Sequence, residues 1–178
     1  IEEKFRELFD VVFHPTDRIQ VVEAGEYDHL FRNDGSRFKD VSEEVGLVGT
    51  DQGLSASWFD YDDDGFPDLY VANDFFGSDR LYHNKRNGSF EEVARHVLPH
   101  TPWFSMGTDI ADVNNDGLFD LMGSDMAGSS HYKSKIGMGD MEKSSWFLTT
   151  SRPPQYMRNA LYLNAGMGRF LEVAQLAG

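Results

Sequence analysis

Asp-Tyr-Asp-Asp-Asp-Gly-Phe-Pro-Asp occupies residues 60–68, and a second copy, Asp-Val-Asn-Asn-Asp-Gly-Leu-Phe-Asp, occupies residues 112–120. In both copies side-chain oxygens stand at loop positions 1, 3, 5 and 9, and glycine stands at position 6. Short acidic and amide side chains on alternate residues are typical ligands of Ca²⁺, which takes about six to eight oxygens. The two copies therefore predict two calcium-binding loops.

The predicted ligands are the side chains at positions 1, 3, 5 and 9 and the backbone carbonyl at position 7. They are Asp60, Asp62, Asp64, Phe66 and Asp68 in the first loop, and Asp112, Asn114, Asp116, Leu118 and Asp120 in the second. Glycine at position 6 permits the tight turn that brings the position-7 carbonyl to the ion. Without a cation the carboxylates would repel one another. The alternative interpretation is a pair of acidic surface turns that bind no metal.

An EF-hand is excluded by what surrounds the loops. That loop needs a bidentate glutamate at position 12 and a helix on each side. Position 12 is Val71 in the first copy and Gly123 in the second, and the flanking residues 57–59 and 69–72 have the apolar character of strands. Each loop is therefore predicted to join two strands.

A second motif repeats three times and predicts β-hairpins. A leucine and an asparagine three residues later are followed by a glycine-containing turn and then by Phe-x-x-Val, at residues 30–41, 81–93 and 161–173. Asparagine and glycine between short apolar runs favour a tight turn between antiparallel strands. One complete unit then has four strands, at roughly 54–60, 68–73, 79–84 and 89–94, and a second unit starts near Met106.

Four-stranded units of about 50 residues are typical of β-propeller blades. The prediction is an all-β chain, a partial β-propeller of about three four-stranded blades with calcium-binding loops. Because a propeller closes with roughly four to eight blades, we expect further blades in a longer protein. Residues 28–178 are assigned to the blades, and residues 1–27 to an N-terminal segment that is a degenerate blade or a helix.

Residues 126–158 interrupt the second unit and are locally basic in an acidic chain. Such a long connection is unusual unless it binds or packs on something. The hypothesis is that it leaves the blade, covers a face or edge and contacts a partner through Lys133, Lys135, Trp146, Arg152 and Tyr156. The alternative is a lid on its own propeller. The strands are expected to tolerate a direct junction from Asp125 to Asn159.

Composition limits the functional classes. The net charge of −14 disfavours nucleic acid and anionic membranes as partners, and no apolar run is long enough to span a membrane. The absence of cysteine excludes disulfides and thiolate metal sites. Calcium loops of this kind suit a compartment rich in calcium, so we expect a secreted, periplasmic or cell-surface location.

The unit around residues 57–73, with the stretches 30–47, 106–117 and 158–164, resembles the FG-GAP/VCBS repeat of integrin-α-like propellers. The nearer resemblance is to the cartilage-acidic-protein-like (ASPIC/UnbV-associated) group in its bacterial versions. The resemblance implies secreted or surface-exposed propellers in which Ca²⁺ rigidifies the blades. It carries over the aspartates at positions 1, 3, 5 and 9 as ligands, with Asn114 as a departure that should weaken the second site.

The resemblance supplies no catalytic mechanism, and the chain contains no nucleophile-elbow, phosphate-loop or dinucleotide motif. The six histidines, interpreted as surface or packing residues, are His14, His29, His83, His96, His100 and His131. The leading hypothesis is a calcium-binding, non-catalytic module for extracellular protein binding or adhesion. The alternatives are a sugar-binding propeller that stacks sugars on Trp103 and Trp146, and a propeller hydrolase or lyase.

Strand alternation predicts the packed interior of the blades. The predicted core residues are Trp58, Leu69, Val71, Leu81, Phe90, Val93, Ile110, Leu121, Leu161, Phe170 and Val173.

Overall fold

The computed structural model describes residues 9–13, 19–23, 25, 27–47, 49–75, 77–128 and 151–177. Within these ranges the strands are β1 (Phe9–Phe13), β2 (Ile19–Glu23), β3 (Phe31–Asn33), β4 (Phe38–Asp40), β5 (Gln52–Phe59), β6 (Asp68–Asp74), β7 (Arg80–Asn84), β8 (Phe90–Glu92), β9 (Thr101–Pro102), β10 (Ser105–Ala111), β11 (Asp120–Asp125), β12 (Gln155–Tyr156), β13 (Ala160–Asn164) and β14 (Phe170–Glu172). Three helices of four residues are α1 (Ser42–Val45), α2 (Ala94–Val97) and α3 (Ala174–Ala177). The described chain is therefore all-β apart from single helical turns.

Two four-stranded antiparallel sheets dominate the described residues. The first has the strand order β5-β6-β7-β8 and the second the order β10-β11-β13-β14. The predicted four-strand unit and its antiparallel order are thus confirmed, and every strand boundary lies within two residues of the predicted one. A closed propeller ring stays a prediction.

The Leu-to-Val repeat has a direct structural explanation. In all three hairpins the valine N–H donates to the carbonyl of the leucine, with N–O distances of 2.9 Å for Val41 and 2.8 Å for Val93 and Val173. The same valine carbonyl then accepts the N–H four residues later, which begins the short helix after each hairpin. The motif therefore fixes the hairpin register and turns the chain out of the sheet.

The first sheet carries a hydrophobic cluster on each face. One cluster joins it to the second sheet through Phe59, Tyr70, Leu81, Leu121, Tyr162 and Phe170. The other joins it to the β3–β4 hairpin and α1 through Val41, Val45, Leu47, Leu69, Val71 and Tyr82. Because successive strand residues point to opposite faces, β6 contributes Leu69 and Val71 to one cluster and Tyr70 to the other. This explains why β6 is buried from Asp68 through Asn73.

The core prediction is correct for Leu69, Val71, Leu81, Leu121 and Phe170, which are buried. It is wrong for Trp58, whose side chain is 48% exposed. Trp58 pairs with Leu69 across β5 and β6 and so faces the β3–β4 side of the sheet. That hairpin covers Leu69 but not β5, and Trp58 instead packs edge-on against Phe90 at a ring separation of 5.9 Å.

The remaining predicted core residues lie at the margins of the two clusters. They are half-buried, namely Phe90, Val93, Ile110, Leu161 and Val173. Of the alternatives for residues 1–27, the described part forms an antiparallel hairpin of β1 and β2. No helix among the described residues has the length and apolar character needed to cross a membrane.

The last residues of the insertion at 126–158 pair with β9 before β13 begins. Its β12 pairs in parallel with β9, and the Gln155 side chain donates to the carbonyls of Phe75 at 3.3 Å and Gly77 at 3.1 Å. Gln155 and Pro153 are buried. The last residues of the insertion therefore contact both the β6–β7 turn and β9. The expectation that the whole insertion is removable stays a prediction. Residues 129–150 lie outside the described residues.

Candidate metal centre

The first acidic loop joins β5 to β6 and folds around the carboxylate of Asp60. Oδ1 of Asp60 accepts the N–H of Asp64 at 3.0 Å, and Oδ2 accepts the N–H of Gly65 at 2.7 Å. Asp64 in turn accepts the N–H of Phe66 at 2.8 Å. The turn needs left-handed backbone at Asp63 (φ 59°) and Gly65 (φ 86°), and glycine adopts this conformation without a Cβ penalty.

The second loop, between β10 and β11, repeats this geometry with a different sequence. Asp112 accepts the N–H groups of Asp116 at 3.0 Å and Gly117 at 2.9 Å. Asp116 accepts the N–H of Leu118 at 2.9 Å. The two loops differ in side chain at positions 2, 3, 4, 7 and 8 and still fold alike, so the shared positions 1, 5 and 6 determine the turn.

The aspartate at position 9 ties each loop to the neighbouring hairpin. Asp68 accepts the N–H of Tyr61 through Oδ2 at 3.1 Å and the N–H of Asn84 through Oδ1 at 2.7 Å. Asp120 accepts the N–H of Val113 at 2.9 Å and that of Asn164 at 2.8 Å. Both carboxylates are buried. Each carboxylate oxygen has a second acceptor site, so the predicted role as a ligand is compatible with these bonds.

The carboxylates of the first loop converge as a cation site requires. Asp60, Asp62 and Asp64 each place one carboxylate oxygen within 4.8 Å of the others. Oδ1 of Asp62 is enclosed and has no hydrogen-bond partner among the described residues. Burial raises the pKa of Asp62, and the nearby Asp64 raises it further. An enclosed, unpartnered carboxylate oxygen beside two others fits a hard cation such as Ca²⁺.

Residues 60–122 match the FG-GAP-like repeat. The match begins at the first ligand position of the first loop and extends through both acidic loops into β11. No curated protein matches the chain. The finding supports the predicted resemblance to FG-GAP repeat proteins, whereas the cartilage-acidic-protein-like group and the bacterial origin stay predictions.

The two loops of the FG-GAP-like repeat differ in their counter-charges. In the first, the Arg86 guanidinium contacts Oδ2 of Asp64 through Nε at 2.7 Å and Nη2 at 2.6 Å. Burial acts to raise the pKa of Asp64, but the Phe66 N–H and Arg86 together hold it below its usual value. In the second loop, the Asn114 amide donates to Oδ2 of Asp116 at 2.8 Å. Asn114 therefore offers an amide oxygen where the first loop offers the carboxylate of Asp62.

The position-7 residues, Phe66 and Leu118, remain predicted carbonyl ligands. Each is placed by the hydrogen bond from its own N–H to the position-5 aspartate. The Phe66 ring lies under the Arg86 guanidinium, 5.6 Å from ring centroid to Cζ. This contact helps to hold Arg86 over the first loop.

Sequence reasoning missed one residue near the first loop. His83 on β7 places Nδ1 3.3 Å from Oδ1 of Asp68 and 3.5 Å from Oδ2 of Asp62. Its interpretation as a surface or packing residue is incomplete, because the imidazole belongs to a group with potential metal ligands. The available signal was the difference between Leu-Tyr-His-Asn at 81–84 and Leu-Tyr-Leu-Asn at 161–164.

The predicted partner contacts are only partly described. Lys133, Lys135 and Trp146 lie outside the described residues, and Arg152 and Tyr156 are exposed. Tyr156 packs edge-on against His100 at 4.9 Å, and Arg158 lies over the Tyr156 ring, with Cζ 5.4 Å from the centroid. The idea that Trp103 stacks on a sugar is wrong, because Trp103 is fully buried and packs on Phe104 at 5.2 Å.

Proposed function

We propose that this chain is a calcium-binding, non-catalytic β-propeller module that binds a protein partner outside the cytoplasm. The observation that carries the proposal is the repeated loop, in which the same hydrogen bonds wrap the chain around Asp60 and around Asp112. A loop that presents several oxygens without a cation carries unfavourable repulsion. Two divalent cations relieve that repulsion at both loops.

The proposed role of the cations is structural. Each loop connects two strands of one sheet and is bonded through its position-9 aspartate to the next hairpin, at Asn84 or Asn164. An ion held by positions 1, 3, 5, 7 and 9 would join the turn, the second strand and, through these bonds, the third strand. Because the ion binds the folded loop and not the unfolded chain, calcium raises the free energy of unfolding.

The non-catalytic part of the proposal rests on where the ionisable side chains lie. Among the described residues, three carboxylates converge in the first loop. Another compact ionisable group consists of His100, Glu172 and Arg158, in which Nη2 of Arg158 and Nε2 of His100 contact Oε2 of Glu172 at 2.9 and 3.0 Å. The side chains of His100 and Glu172 are buried beside the second sheet. We therefore assign this group to the packing of the sheet and not to contact with a substrate.

The contact surface in this proposal is the return of the insertion at residues 151–158. Arg152 and Tyr156 are exposed there, while Gln155 anchors the same segment to the first sheet. An anchored backbone with exposed aromatic and arginine side chains favours protein recognition. The calcium-rich compartments in which such loops would be filled are the periplasm, the cell surface and the medium.

The test is calcium stoichiometry, measured by titration calorimetry and by equilibrium dialysis with metal analysis. The expected result is two Ca²⁺ per chain in the wild type and one in each of Asp60→Ala and Asp112→Ala. Thermal unfolding with calcium and with chelator should show a higher midpoint in calcium. A wild-type chain that takes up no calcium at millimolar concentration would contradict the proposal.

A further inference from the structure

His83 distinguishes the first acidic loop from the second. The two units superpose in register here, since Asn84 bonds to Asp68 as Asn164 bonds to Asp120. The residue before the asparagine is His83 in the first unit and Leu163 in the second. An imidazole therefore stands beside the first loop at a position where the second loop has an aliphatic side chain.

The surroundings of the His83 ring have the character of a cation site. Nδ1 lies within 3.5 Å of one oxygen of Asp62 and one of Asp68, yet neither contact has the geometry of a hydrogen bond. Nδ1 of His83 and Oδ1 of Asp62 are both enclosed atoms without a hydrogen-bond partner among the described residues. The Asp68 side chain is 0% exposed. A buried nitrogen beside two carboxylates is stabilised when a shared cation bonds to all three.

The two separations from Nδ1 of His83 match those around a small divalent ion. Two ligands at about 2.0–2.1 Å from a tetrahedral ion lie roughly 3.3 Å apart. The measured separations from Nδ1 are 3.3 Å to Asp68 and 3.5 Å to Asp62. Imidazole nitrogen is a good ligand for Zn²⁺ and its first-row neighbours, whereas Ca²⁺ prefers oxygen.

Neighbouring groups hold these ligands in place. The Asn84 N–H at 2.7 Å fixes Oδ1 of Asp68, and the Tyr61 N–H at 3.1 Å fixes its other oxygen. The Tyr61 ring packs edge-on against His83 with centroids 5.8 Å apart. Such supporting contacts orient metal ligands and strengthen binding.

We propose that Asp62, Asp68 and His83 form a binding site for a divalent transition-metal ion of the Zn²⁺ or Co²⁺ type. Asp62 also belongs to the convergent group with Asp60 and Asp64, so this ion competes with Ca²⁺ at the first loop and not at the second. The competition rests on the proposed calcium function, whereas the transition-metal site does not. The first loop thereby acquires a cation preference that the second lacks.

The experiment measures Co²⁺ uptake by its visible absorption and Zn²⁺ uptake by equilibrium dialysis, on the whole chain. The wild type should bind one Co²⁺ with high affinity. His83→Leu, which installs the residue of the second unit, should weaken Co²⁺ binding by about tenfold or more. His96→Leu, at an exposed histidine, is the matched control and should leave Co²⁺ binding unchanged.

A gain-of-site variant keeps the proposal testable if His83→Leu folds poorly. Asn114→Asp combined with Leu163→His rebuilds the three ligands in the second unit and should add a second Co²⁺ site. Equal Co²⁺ affinity in the wild type and His83→Leu, or equal loss in His96→Leu, overturns the transition-metal site. Calcium stoichiometry measured on the same samples separates the proposals: His83→Leu keeps two calcium sites if the calcium function holds, and a wild type without calcium overturns that function alone.

Discussion

Ser105 at the start of β10 donates a hydrogen bond of 2.8 Å from Oγ to Oδ2 of Asp79 in the loop between β6 and β7. The same carboxylate accepts the hydroxyl of Tyr70 and, through Oδ1, the N–H of Asn73 at 2.9 Å. Asp79 is almost completely buried. The two four-stranded sheets are therefore joined by a polar network as well as by apolar packing, and burial raises the pKa of Asp79 to about 7.

The first prediction concerns the pH dependence of this junction. In the unfolded chain Asp79 has a pKa near its usual value of 3.8, so between about pH 4 and 7 the folded state binds the additional proton. The stabilisation of the folded state by the protonated Asp79 is therefore fully present below pH 4 and is lost as the pH rises through about 7. Its size is at most roughly 4 kcal/mol.

Asp79→Asn removes this titration and keeps a side chain of the same shape. The free energy of unfolding, measured by urea titration from pH 4 to 8 in chelator, should fall with pH more steeply in the wild type than in Asp79→Asn. Parallel pH profiles for the two proteins would show that Asp79 does not titrate in this range.

The second prediction uses two equivalent leucines. Leu81 on β7 is fully buried, whereas Leu161 on β13 is half-buried. Leu81→Ala should lower the free energy of unfolding by about 2–5 kcal/mol, because it leaves a cavity between two covered sheet faces. Leu161→Ala should cost clearly less in the same denaturant titration. Equal losses would mean that the second sheet is covered as fully as the first, which would place a further blade against it.

Much of the fold follows from local pattern, as the Leu-to-Val hydrogen bond shows. Leu81 and Val93 belong to a motif that occurs three times, and their backbone groups bond to each other as in the other two copies. The repeat therefore predicts the hairpin. The prediction that Trp58 lies in the core is wrong because the burial of Trp58 depends on which part of the neighbouring unit covers β5. Alternation within one strand carries no information about that cover.

The candidate site likewise contains some residues that the sequence predicts and others that only the tertiary structure brings together. The spacing of Asp60, Asp62 and Asp64 in the sequence is enough to predict a convergent loop, because all three lie in one turn. His83 is distant in sequence and reaches Asp62 only through the pairing of β6 with β7. The bond between Asp79 and Ser105 likewise requires the packing of one sheet on the next, which no local motif encodes.

The third prediction concerns Arg86, the cation that already contacts the first loop. Its guanidinium contacts Oδ2 of Asp64, whereas the corresponding residue of the second hairpin is Gly166. Arg86→Gln should raise the calcium affinity of the first loop by roughly two- to fivefold, because it removes an exposed cation that competes for Oδ2 of Asp64. Calorimetry on Asp112→Ala and Asp112→Ala/Arg86→Gln isolates the first loop.

Lys85→Gln, in the same background, removes a neighbouring exposed charge and should have a smaller effect on calcium affinity. Unchanged affinity in the Arg86 variant would show that Arg86 moves away before the ion binds.

The last prediction concerns the end of the insertion. Gln155 is buried, and its amide supplies two hydrogen bonds to the carbonyls of Phe75 and Gly77, at the turn between β6 and β7. The Ser78 hydroxyl strengthens the same junction by donating to the Pro153 carbonyl at 2.9 Å. Gln155→Ala removes both of these hydrogen bonds from a buried side chain, which should lower the free energy of unfolding by about 1–3 kcal/mol.

Three further variants separate this anchor from the rest of the insertion. Arg152→Ala, at an exposed side chain, should change stability by less than about 0.5 kcal/mol. Replacing residues 129–150 with a Gly/Ser linker of equal length should preserve the unfolding midpoint, because it keeps the 151–158 anchor. Joining Asp125 directly to Asn159 removes Pro153, Gln155 and the β9–β12 pairing together, and should lower the midpoint by more than Gln155→Ala does. If the direct junction is as stable as the wild type, the contacts of Gln155 contribute nothing to the fold and the insertion is dispensable throughout.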